Sequence, residues 1–405
     1  MLRKNRLFTP GPTPLLPSAQ NAMAAFGMHH RTADFRTLYT RTLADLKAFI
    51  GTNNDCLLLA SSGSGAMEAS ISNLTSPGDT ILVLTAGKFG ERWADLGKAY
   101  GCKVEMVKAE YGQTFPLDAV RQKLSADVRV VYLQATESST GVRHDVAGVA
   151  KLLRDSKHEA LLVVDAITGL GTTKFDVDGW GLDIVIGGSQ KAVMIPPGLA
   201  YLSVSERAWQ RMETTKSPRY YFDLRKERKA ASKGESAFTP ATSLIAGLGA
   251  AFDFIRAAGS GDLATGRDLL IANAELAAAM TRAAASALDL QLYAPTAPAA
   301  ALTAIIPPAG IDSGVFVKGF REMFDAVIAN GQGDMKGKLF RIAHLGYFDY
   351  LDTIAIIGGL EQVTAKVAQR KNFEFGVALR SAQQVYADAN GIAYEAAGAL
   401  ASAKA

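Results

Sequence analysis

The sequence predicts an α/β protein: a large unit built on a mostly parallel, doubly wound sheet, followed by a smaller α/β unit. Three observations carry this. Short β-branched runs at residues 161–164 and 183–186 have the continuous apolar character of strands covered on both faces. Such runs alternate with stretches of helical apolar spacing, from residues 37–50 onward, in the rhythm of βαβ units. The chain has 405 residues, 48% of them hydrophobic and 20% charged, which exceeds one minimal domain and supplies a sizeable core. Residues 1–20 are expected to form an extended N-terminal arm, 21–259 the large unit and 260–405 the small one.

Taken in order, Phe8-Thr-Pro-Gly-Pro-Thr-Pro-Leu-Leu-Pro17 can be neither helix nor central strand and is expected to run extended over a surface. His29 and His30 precede the helix at 37–50; adjacent histidines without a second ligand pair give no metal site. Residues 56–60 read as a strand. Ser61-Ser-Gly-Ser-Gly65 then leads into a helix from Ala66, where backbone N–H groups attract a phosphate. A dinucleotide fingerprint is not met, since Glu68 stands where the third glycine belongs. The strand at 80–84 runs into Thr85-Ala-Gly-Lys-Phe-Gly-Glu-Arg-Trp93, and strands follow at 103–107 and 128–133. The last of these ends in Gln134-Ala-Thr-Glu-Ser-Ser-Thr-Gly-Val142. Residues 196–204 read as a turn and an antiparallel strand, 225–234 as a charged exposed loop, and Pro240 as a helix start. In the small unit a long alanine-rich helix covers 269–288, and strands at 301–306 and 339–342 flank a helix near 314–330. The last twenty or so residues read as an appended helix or loose tail.

The chemistry concentrates at the two runs named first. One ends in Asp165, the other in Gly-Gly-Ser-Gln-Lys191, so each delivers one charged residue near a strand's carboxyl end. That is the edge where open α/β sheets bind ligands. An acid and a lysine meeting there suit a cofactor with one basic nitrogen and one aldehyde. Pyridoxal phosphate is such a cofactor: its aldehyde condenses with a lysine amine, and a carboxylate keeps its ring nitrogen protonated.

The stretch VDAITGLGTTKFDVDGWGLDIVIGGSQKAVMIPPGLA resembles the core of the class V, fold-type I aminotransferases, most of all their alanine–glyoxylate and serine–glyoxylate branch. Further motifs fall in the same order, from about Phe8 to Gly359. The resemblance implies a seven-stranded large-domain sheet with Lys191 and Asp165 as catalytic residues. Ser64, Gly65, Ala66 and Gln190 would then hold the cofactor with them, and Ser138, in an ESSTG loop, would contact both cofactor and substrate. Phe89 takes the place of the ring that stacks on the pyridine face, where many relatives carry tryptophan. Thr239, in Phe238-Thr-Pro-Ala-Thr-Ser-Leu244, would reach the phosphate of a partner's cofactor, implying a homodimer with composite sites. A tyrosine that some relatives use beside it is replaced by Ser236 and Ala237. Arg341, in Lys338-Leu-Phe-Arg-Ile-Ala-His-Leu-Gly346, would bind the substrate carboxylate through its planar fork, while His344 packs near the strand end. The implied activity is ping-pong transamination from alanine or serine to glyoxylate or pyruvate. Other amine donors (an aminophosphonate, phosphoserine, pyridoxamine or a ureide) remain open, as does a catalytically inactive binding or subunit protein. A cysteine desulfurase needs a nucleophilic cysteine in the C-terminal part, whereas Cys56 and Cys102 both lie early.

The formal net charge of +4 is spread without long basic runs, which favours anionic small molecules over nucleic acid. No apolar run is long enough to span a membrane, and the basic, proline-rich start lacks the apolar core of a signal peptide. Two cysteines do not make a disulfide framework, so buried thiols in a reducing cytoplasm are expected.

Overall fold

A computed structural model describes residues 2–25, 27–368 and 373–391. Seven strands form one sheet in the order Asp55–Leu59, Ala200–Val204, Ile184–Gly188, Leu161–Asp165, Val128–Gln134, Thr80–Thr85, Lys103–Lys108. Only Ala200–Val204 runs against its neighbours, as expected for the segment after Lys191. Alternation along each strand divides the core into two layers. Leu162 and Val164 face helices Ala33–Ile50, Val146–Asp155 and Thr242–Ala258. Leu161 and Val163 face helices Gly63–Leu74, Lys88–Ala99 and Glu206–Met212. Both faces are therefore dry, which is why these strands read as unbroken apolar runs rather than alternating ones.

A second, five-stranded sheet has the order Arg6–Phe8, Ala326–Asn330, Phe340–Ala343, Leu302–Ile306, Gln291–Leu292. It packs around Phe316, Phe320, Phe340 and Ile357. Three expectations are corrected here. The N-terminal segment is not only an arm over a surface: Arg6–Phe8 pairs in parallel with Ala326, Val327 and Ile328 of the same chain, and Pro17–Ala24 is helical. The proline run hid this because the strand lies just before it. The helix expected near 314–330 ends at Phe324. Asp325 takes a left-handed conformation (φ 53°), and the β-branched stretch after it forms a strand. The expected loop at 225–234 begins as helix Leu224–Ala231, capped by the Asp223 carboxylate, with its basic residues toward solvent and Glu227 buried. Most of the expected C-terminal tail lies outside the described residues, though helix Val377–Ala389 precedes it. Cys56 is buried, and Cys102 half-buried. No helix among the described residues is long and apolar enough to cross a membrane.

Candidate active site

The chemistry-bearing side chains converge where the parallel strands end. Strand Leu161–Asp165 stops on Asp165, and its neighbour Ile184–Gly188 runs into Ser189, Gln190 and Lys191. Asp165 is 6% exposed and Lys191 8%. Burial pushes the Asp165 carboxyl up from 3.8 to about 6, against the Ile167 N–H it accepts at 2.9 Å and the nearby charges of Lys191 and Arg92. Burial moves the Lys191 amine the other way, from 10.5 to about 8, while Asp165 raises it and Arg341 lowers it further. A lysine that is partly neutral near pH 7 can act as a nucleophile there.

The N-terminal segment roofs this lysine. Lys191 Nζ donates to the Pro10 carbonyl, and Thr13 Oγ1 donates to the Lys191 carbonyl at 3.0 Å. Gly11 between them has φ +125°, and a Cβ there would come within 2.6 Å of Nζ. Both the backbone conformation and the space require glycine.

Arg341 lies on strand Phe340–Ala343 of the second sheet and is 3% exposed. Its Nε and Nη2 donate to the Asn330 carbonyl at 3.2 and 2.5 Å, and Nη1 donates to the Ser138 carbonyl at 2.7 Å. Of the five N–H groups of a guanidinium, two stay available for a carboxylate. Burial lowers its pKa to about 10 and the Glu137 charge raises it, so it stays cationic at neutral pH.

Helix Gly63–Leu74 begins inside the Ser-Gly run, earlier than the sequence suggested, and the Ser62 side chain does not cap it. Ser64, Gly65 and Ala66 occupy its uncapped first turn, where N–H groups and the helix dipole favour an anion. Arg92 donates to Ser64 Oγ at 2.9 Å, and its guanidinium lies 5.0 Å from the Phe89 ring centroid. Gln190 Oε1 is a buried acceptor with no partner. No hydrogen bond among the described residues joins Thr239 to this group. It is exposed, next to Phe238, whose ring stacks on Tyr221 at 4.9 Å. His344 is buried against Thr303 Oγ1 at 2.9 Å, and burial, with the charge of Arg282, lowers its pKa to about 3. No three His, Cys, Asp or Glu side chains among the described residues could hold a metal ion.

Sequence reasoning missed Arg92, Glu137 and the Pro10–Gly11 roof. Arg92 had a signal, standing one helical turn after Phe89 and therefore on the same face. The roof had none, because 181 residues separate Pro10 from Lys191.

The model of the aminotransferase class-V family matches residues 15–289, about two-thirds of the chain. The chain belongs to the class V aminotransferases. This class V aminotransferase is 38% identical to the soluble hydrogenase 42 kDa subunit of Anabaena cylindrica over 95% of its own length and 99% of that protein's. It is 34% identical to an L-aspartate–glyoxylate aminotransferase of Paracoccus denitrificans (95% and 97%). It is 33% identical to a serine–glyoxylate aminotransferase of Hyphomicrobium methylovorum (90% of each chain). Among solved structures, an aspartate aminotransferase of Thermus thermophilus superposes with a TM-score of 0.83 at 31% identity, covering 90% of this chain and all of that one. The class V aminotransferase thus has the type I fold that its sequence implied, and it is a transaminase.

Proposed function

We propose that this transaminase moves an amino group from a small amino acid, alanine or serine, to glyoxylate or pyruvate in ping-pong fashion, on pyridoxal 5′-phosphate held around Lys191. The observation that carries the reading is the burial of Lys191 within electrostatic reach of both Asp165 and Arg341.

The residues present fit that cofactor. The partly neutral Lys191 amine suits an aldehyde, and Asp165 suits a ring nitrogen. The uncapped helix start at Ser64, Gly65 and Ala66, with Arg92 beside it, suits a phosphate. Phe89 offers a flat apolar face, and the unpartnered Gln190 Oε1 marks a polar place awaiting a donor. Ser138 lines the same loop that holds Arg341. Thr239, exposed on the surface, would serve the phosphate of a second copy, in a homodimer with composite sites. When bound, the cofactor supplies an electron sink for the charge that develops at the substrate Cα.

The chain's own residues do the rest. Arg341 binds the substrate carboxylate and fixes which Cα bond stands ready to break. Lys191, once its amine is free, takes and returns the Cα proton, aimed by the Pro10 carbonyl above it. Asp165 holds the proton on the ring nitrogen. The roof and the buried strand ends keep water from these charges. A dicarboxylate donor is the second reading, favoured by the Paracoccus relative named for L-aspartate.

Visible absorbance of the purified protein with pyridoxal phosphate tests this. The band is expected to bleach with alanine or serine and to return with glyoxylate; bleaching by aspartate alone selects the second reading. A protein that the cofactor cannot colour ends both and leaves a subunit or binding role. The pH dependence of reconstitution gives a separate check. Because burial lowers the Lys191 pKa to about 8, the rate of cofactor attachment should rise about tenfold per pH unit up to pH 7 and level off above 8. A rate still rising steeply at pH 9.5 would contradict a buried, depressed lysine.

A further inference from the structure

Helix Lys88–Ala99 carries Phe89 as its second residue, yet its N-cap, Gly87, has no side chain to cap with. The orphan N–H groups of a helix start need acceptors when buried. Here they come from a different segment, the loop 137–141. The Glu137 Oε2 accepts both the Phe89 and the Gly90 N–H at 3.1 Å, and Ser139 Oγ accepts the Lys88 N–H at 3.3 Å. The other oxygen of Glu137 accepts Ser139 N–H at 3.1 Å and Ser139 Oγ–H at 2.5 Å. Glu137 is fully buried. Burial pushes its pKa up, but four donors converge on its two oxygens, and only an ionised carboxylate accepts from all of them. Gly87 is part of the same fit, since a side chain there would strike the Glu137 carboxylate. Ser138, the next residue of the loop, gives its carbonyl to Arg341. One short loop therefore fixes both the helix that presents Phe89 and the arginine of the second sheet.

We propose that Glu137 is a positioning residue that sets the Phe89 platform against Arg341, by capping the Phe89 helix from the loop that also holds Arg341. This rests on the pyridoxal phosphate reading. Replacing Glu137 with glutamine keeps the volume but turns one acceptor into a donor, which must face either the Phe89 and Gly90 N–H groups or the Ser139 N–H, so at least one of these bonds is lost. Phe89 then tilts, and the Ser138 carbonyl shifts under Arg341.

The test is titration of cofactor-free wild type, E137Q and S139A with pyridoxal phosphate, followed by visible circular dichroism, together with steady-state kinetics and thermal melts. E137Q is expected to bind the cofactor about tenfold more weakly, with an altered dichroic band and a KM for the amino donor raised several-fold, at a melting temperature near that of wild type. S139A, which loses only the Lys88 acceptor and one donor to Glu137, is expected to show the same changes at a smaller size, and it carries the test if E137Q does not fold. Wild-type cofactor affinity, dichroism and KM in either folded variant overturn the proposal and make Glu137 a purely structural acid. A wild type that binds no pyridoxal phosphate overturns the cofactor reading, and the proposal with it.

Discussion

Lys191→Ala is expected to yield a folded protein that gains no visible band with pyridoxal phosphate and turns over at least about 10⁴-fold more slowly, since the proposed nucleophile and proton carrier are one and the same side chain. The fold should survive. Lys191 contributes a buried amine whose charge is disfavoured where it stands, with the pKa lowered to about 8. Its removal leaves the Pro10 carbonyl without its donor and opens a small cavity, a loss of about 1–3 kcal/mol. A small primary amine added to the variant should restore part of the proton transfer, because the vacated space leads to the same Cα. Retention of wild-type turnover by Lys191→Ala would remove this lysine from the chemistry altogether.

Asp165→Asn is expected to act in two opposite directions. Activity should fall by about 10²–10³-fold, the usual effect of deleting one preorganised charge next to a reacting system. Stability of the cofactor-free protein should rise. The folded-state pKa of Asp165, about 6, lies above its ordinary 3.8. Its contribution to stability is therefore complete below about pH 4 and lost as the pH climbs through 6. At pH 7.5 the buried carboxylate costs on the order of 3 kcal/mol, which asparagine, of the same shape and without charge, avoids. Melting of the cofactor-free variant should exceed that of wild type by a few degrees at pH 7.5, and the gap should narrow toward pH 5. Equal melting at both pH values would mean that the acid is solvated, and its assigned task would lose its physical basis. Such a gain on removing a buried charge is the mark of a site held against its own stability.

The parts of the molecule that could be read from the sequence are those set by local pattern. Asp165 and Lys191 were legible because doubly covered strands announce their ends, and ligands gather at those ends. The single antiparallel strand was legible from the turn before it. Arg341 was recovered through the resemblance around Phe340 and Ile342, not from any local rule. What escaped depends on pairs distant in sequence. Glu137 looks like one acid in a serine-rich turn until helix Lys88–Ala99 is seen resting on it. The strand that Arg6–Phe8 pairs with begins only at Ala326. Helix Leu224–Ala231 was hidden by its own charge, although Asp223 at its start and the buried Glu227, bonded to Tyr39 Oη at 3.1 Å, are ordinary helix devices.

The roof over Lys191 bears on how the protein comes off the ribosome. Its residues, around Pro10 and Gly11, emerge before the lysine they cover, yet they are anchored on one side by the strand that pairs with Ala326–Ile328. A nascent chain that has not yet reached Ala326–Ile328 therefore lacks the partner that holds the roof in place, however well its seven-stranded sheet has already formed. Contacts of such long sequence separation form late. Pocket completion is thus tied to synthesis of the second sheet, and a polypeptide that displays Lys191 before Ala326–Ile328 has been made lacks that anchor for its cover.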